Sequence, residues 1–108
     1  MNELALTEAD NGKSHTIPSG ARVVLRLREN PTTGYQWHLD SDLPPVLSVT
    51  ADDYSPTAGG GIGSGGVRVL EFRAGTAGIV KLVLSHKRPW EGQDKALSAF
   101  TVSIAVTG

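Results

Sequence analysis

Cysteine is missing from this 108-residue chain, which excludes a disulfide framework, thiol chemistry and any cysteine-ligated metal. No apolar run is long enough to span a bilayer, and no charged-then-apolar leader opens the sequence. Lys and Arg number 10 against 11 Asp and Glu, a net charge of −1. That balance offers no electrostatic footprint for DNA, RNA or an anionic membrane, so no nucleic-acid or membrane partner is expected. Helical periodicity is lacking too, and no segment reads convincingly as a helix. A removed leader leaves no trace in the mature chain. The compartment therefore stays open: periplasmic or secreted if the chain is processed, cytoplasmic otherwise.

What is present is alternation with period two. Ala21, Val23, Leu25 and Leu27 fall on one face, and Arg22, Arg26 and Arg28 on the other, with Val24 as the exception. Leu70 and Phe72, then Val80, Leu82 and Leu84, then Phe100, Val102, Ile104 and Val106 repeat the pattern. Each fits a half-buried antiparallel strand. Further segments at 4–7, 15–17, 35–39 and 47–50 bring the expected total to seven or eight strands. Turn signals separate them, among them Asn11-Gly12, Ser19-Gly20, Pro44-Pro45 and Gly75-Thr76-Ala77-Gly78. The expectation is one all-β domain over residues 1–108, an antiparallel β-sandwich. Trp37 falls where an immunoglobulin-like sandwich buries a tryptophan, with Tyr35 and Leu39 on its face. Without a disulfide, packing alone is expected to join the sheets.

Three connecting segments carry unusual composition. Asn30-Pro31-Thr32-Thr33-Gly34-Tyr35 combines a proline of fixed φ, two stiff β-branched hydroxyls and a glycine able to take φ > 0. It reads as a rigid polar tip or simply as a well-made turn. Residues 59–66 are glycine-rich, and Gly61-Ile62-Gly63-Ser64-Gly65-Gly66 satisfies G-x-G-x-x-G. It lacks the strand before and helix after that a dinucleotide site requires, and no Walker lysine follows. A mobile loop and a thin backbone surface for another protein both remain open, with Ile62 as the one sizeable apolar side chain. Arg88-Pro89-Trp90 opens a polar loop over residues 88–94. Its tryptophan either folds back over the sheet end or stands out as an aromatic anchor.

Catalysis finds little support. No serine lies in a nucleophile elbow. His15, His38 and His86 are scattered without metal-ligand spacing and read as ordinary surface or strand histidines. Asp52-Asp53 alternates across a strand and reads as a solvated face. No cofactor or metal is implied, and a monomer is the default.

Taken together and in this order, NPTTGY at 30–35, G-x-G-G at Gly63-Ser64-Gly65-Gly66 and Arg88-Pro89-Trp90 resemble the signatures of the chagasin-type inhibitors of cysteine peptidases. The resemblance implies an immunoglobulin-like sandwich with three neighbouring loops at one end that block the cleft of papain-like, cathepsin L-type proteases. It places Thr32 and Thr33 at the protease's catalytic Cys–His centre. The glycine-rich loop, with Ile62 at its tip, would run along the non-primed subsites, and Arg88 and Trp90 would engage the primed side. The glycine run is longer than the motif requires, so more ordering on binding is expected. The alternative is a non-inhibitory immunoglobulin-like module that uses Trp90 to bind protein or carbohydrate.

Overall fold

The alternating segments all become strands in the computed structural model, which describes residues 3–29, 34–40, 43, 45–56, 65–92 and 96–108. In chain order they are β1 (Glu3–Leu6), β2 (Ser14–Pro18), β3 (Arg22–Glu29), β4 (Gln36–Leu39), β5 (Leu47–Pro56), β6 (Gly66–Ala74), β7 (Gly78–Lys87) and β8 (Ser98–Thr107). They form two four-stranded sheets, ordered β1-β3-β6-β5 and β2-β8-β7-β4. Neighbours are antiparallel except β1 with β3 and β2 with β8, which run parallel. The first two strands thus lie on the edges of different sheets.

The core follows from the alternation. Val23, Leu25 and Leu27 of β3 face Leu70 and Phe72 of β6, and across the sandwich lie Leu82 and Leu84 of β7 with Phe100, Val102 and Ile104 of β8. All are at most 4% exposed, and each buried side chain of this size stabilises the fold by about 1.5–3 kcal/mol. Trp37 joins the same core from β4. Val24 breaks the pattern on the outer face yet is buried, between the alternating Arg22 and Arg26 and opposite Glu71. The aliphatic stems of arginine cover apolar surface while their heads stay in water.

Three expectations need correction. The segment read as 47–50 continues as β5 to Pro56, through a bulge between Val49 and Ala51. Asp52 and Asp53, read as alternating across a strand, lie exposed in this one at a sheet edge. Among the described residues there is also one 3-10 turn, at Glu8–Asp10, capped reciprocally: Thr7 Oγ1 accepts from the Ala9 N–H and Asp10 Oδ2 from the Thr7 N–H at 2.9 Å. Nor does packing alone join the sheets. The buried Glu29 carboxylate on β3 accepts the backbone N–H of Trp37 on β4 at 2.7 Å, and the Trp37 indole N–H donates to the Arg28 carbonyl at 2.9 Å. These bonds cross from one sheet to the other. The result is an immunoglobulin-like β-sandwich with its layers pinned at one end.

Candidate functional site

At that pinned end the strands stop together. Glu29, Gly66 and Pro56 share one rung, so β3 ends, β6 begins and β5 ends side by side. On the other sheet Gln36 pairs with Lys87 and His86 with Ser98, so β4 begins, β7 ends and β8 begins together. The β3–β4, β5–β6 and β7–β8 connections consequently all leave from one end. These are the three segments that the sequence singles out.

The first support beneath them is ionic. Glu29 has a fully buried side chain, and Arg68 of β6 reaches it with Nε at 3.1 Å and Nη2 at 2.6 Å from Oε2. Arg68 Nη1 also donates to Asp52 at 3.2 Å, and its guanidinium lies 5.9 Å from the Tyr54 ring centre. Burial works against the Arg68 charge, but the hydrogen bonds and charges of Glu29 and Asp52 outweigh it and hold the group above its ordinary value. Forked pairing of this kind fixes orientation as well as charge. It secures the rung from which the β3–β4 and β5–β6 connections depart.

The second support is aromatic. Trp37 and His86 are direct cross-strand partners on β4 and β7, and their rings stack 4.8 Å apart at 11°. Tyr35 meets the same histidine edge-on, with centroids 5.9 Å apart. The Arg88 guanidinium then lies 4.7 Å from the Tyr35 ring centre and 6.0 Å from that of Trp90, within the range of cation–π attraction. A continuous ladder therefore runs from the core tryptophan out to Trp90. At its outer end the Glu91 N–H donates to the Arg88 carbonyl at 3.0 Å, closing a turn around Pro89 and Trp90. Lys87 Nζ donates to the Glu91 carbonyl at 2.8 Å and braces that turn.

Gly34, Tyr35, Arg88, Pro89 and Trp90 are thus brought together, and on the other sheet Gly65 leads into β6, which begins at Gly66 on the Glu29 rung. Gly34 has φ +80° and Gly65 φ +77°, conformations that other residues rarely adopt. Trp90 is 76% exposed: of the two readings of that residue, the structure selects the one in which it stands out. Asn30, Pro31, Thr32 and Thr33, together with Ile62, Gly63 and Ser64, lie outside the described residues. Among the described residues no cluster of three His, Cys, Asp or Glu could hold a metal ion.

Sequence reasoning missed Glu29 and His86. Both carry on the parity of a core stripe, Glu29 after Val23, Leu25 and Leu27, His86 after Val80, Leu82 and Leu84. Reading each stripe one step further would have placed them indoors. His86 lies on a strand, as expected, and is half-buried there among aromatics. Leu97 was also passed over. It is 63% exposed, and its N–H donates to the His86 carbonyl at 2.8 Å, at this same end.

Comparison with known proteins agrees with this arrangement. The chain is 36% identical to Amoebiasin-1 of Entamoeba histolytica over 89 residues, 81% of this chain and 84% of that one. It is 31% identical to Chagasin of Trypanosoma cruzi over 101 residues, 90% of this chain and 92% of that one. In fold it resembles EhICP2, a cysteine protease inhibitor of Entamoeba histolytica, with a TM-score of 0.85 at 23% identity, covering 99% and 97% of the two chains. The sequence profile of the chagasin family peptidase inhibitors matches residues 16–104, and the chain belongs to that family.

Proposed function

We propose that residues 1–108 form a single inhibitor domain that occupies the active-site cleft of papain-like cysteine proteases with the segments 30–35, 59–66 and 88–94. Inhibition is reversible, competitive and free of covalent chemistry. The observation that carries this reading is the common departure of the three connections from one end of a cross-braced sandwich. Three neighbouring loops make a wedge able to fill a cleft, and a protease–inhibitor interface of ordinary size buries only about 1,600 Å² in total. Trp90, exposed yet held by Arg88, has the character of an interface anchor. A support already ordered before binding lowers the entropic cost of association.

In this reading Asn30, Pro31, Thr32, Thr33, Gly34 and Tyr35 enter at the protease's catalytic centre. Ile62, Gly63, Ser64, Gly65 and Gly66 line the non-primed side, and Arg88, Pro89 and Trp90 the primed side. No residue of the inhibitor needs to react. A steady-state assay against papain and a cathepsin L-type enzyme, with a trypsin-like serine protease as control, tests the proposal. Sub-micromolar competitive inhibition of the cysteine enzymes alone is expected, with intact inhibitor recovered by mass spectrometry. A covalent adduct, or a requirement for cleavage at Thr32–Thr33, would overturn the mechanism. Absence of inhibition at tens of micromolar would favour a non-inhibitory binding module built around Trp90.

A further inference from the structure

We infer that His86 is a positioning residue for inhibition, the central rung that makes the segments at Gly34-Tyr35 and Arg88-Pro89-Trp90 move as one body. The inference rests on the inhibitor reading above and extends it to a residue outside the three motifs. His86 pairs with Trp37 and with Ser98, one rung before Gln36–Lys87, where β4 and β7 part into their separate connections. Its ring has one aromatic face-on at 4.8 Å and another edge-on at 5.9 Å. Trp37 is fixed by its indole bond to Arg28 and by its buried place in the core. Tyr35 belongs to the first segment and is the ring on which Arg88 of the third segment rests. The histidine ring therefore packs Tyr35, and through it Arg88 and Trp90, against the rigid core.

A further observation assigns this role to ring packing rather than to acid–base chemistry. Among the described residues the buried His86 Nε2 atom has no hydrogen-bond partner, so a polar atom is desolvated with no bond in return. The main chain of the same residue accepts the Leu97 N–H at 2.8 Å, which ties the far side of the β7–β8 connection to the same point. A flat aromatic ring is what the position uses. An apolar ring of similar shape should serve equally well.

The test compares His86→Ala with His86→Phe, each first shown to be folded by circular dichroism and thermal melting. Against papain, His86→Ala is expected to weaken inhibition about tenfold, and His86→Phe to restore it. Because part of the effect passes through Trp90, the losses in the double variant H86A/W90A should be clearly less than additive. Additive losses, or wild-type inhibition by folded His86→Ala, would overturn the inference. Should His86→Ala fail to fold, His86→Leu, which keeps apolar bulk but no flat ring, takes its place in the same cycle. Proton NMR of the free proteins provides an arm independent of any protease. The Tyr35 ring resonances should shift in His86→Ala and return in His86→Phe, and unchanged resonances would refute the coupling. Failure of the wild-type protein to inhibit papain would instead overturn the inhibitor reading, leaving the NMR arm to decide the coupling.

Discussion

A large apolar side chain gains about 1.5–3 kcal/mol by leaving water, and Trp90 forgoes most of that gain in the free protein, being 76% exposed. Its burial energy is thus left for a partner. Trp90→Ala should weaken inhibition of papain by about 2 kcal/mol, roughly thirtyfold, while the melting temperature stays within a degree or so of wild type. Asp10 makes the opposite use of its side chain. The Thr7 N–H and, less strongly, His15 at 3.1 Å hold its carboxyl below the ordinary value of 3.8. A carboxylate depressed in the folded state stabilises it above the unfolded value and loses that contribution as pH falls through the folded one. Denaturant midpoints should therefore drop as the pH is taken below about 4, and Asp10→Asn should flatten that part of the profile.

At the scale of elements, β3 matters most, because its last residue serves both sheets. Glu29 accepts from Trp37 of β4 and from Arg68 of β6. Removing one partner of a buried pair strands the other, at about 3–5 kcal/mol. Glu29→Ala should lower the urea midpoint accordingly, and Glu29→Gln, which keeps an acceptor for Trp37, should lower it less. The strands themselves were legible from alternation, because each buries one face only. β5 is read short because Asp52 and Asp53 are exposed and Tyr54 only half-buried, so no apolar alternation marks this part of the strand. Within the site, the motifs pointed to Gly34, Arg88 and Trp90, whose backbone and exposure are written in residue type. The ladder joining them was not legible. It depends on Trp37 facing His86 across two strands 49 positions apart in sequence, a register set by the whole sheet.

For the whole molecule, the lack of cysteine becomes a working property. Cross-bracing here is made of carboxylate, guanidinium and aromatic rings, none of them reducible. The melting temperature should be the same with and without millimolar dithiothreitol, the condition in which thiol proteases are active, and prior incubation of the inhibitor in it should leave inhibitory strength unchanged. The parallel pairing of β2 with β8 has a mechanical consequence. Force applied through Lys13 and Gly108 pulls these two strands lengthwise past each other, loading all five rungs from Ser14–Ser103 to Pro18–Thr107 at once. Force applied through Ala77 and Gly108 instead opens the antiparallel β7–β8 pair from one end, a rung at a time. With cysteine handles placed at either pair of positions, single-molecule stretching should find the first geometry distinctly stronger. Forced unfolding follows the barrier to rupture and not the equilibrium stability. This small sandwich should therefore resist being threaded lengthwise into a narrow pore far better than its size suggests, provided the pull reaches β2 and β8 from opposite ends.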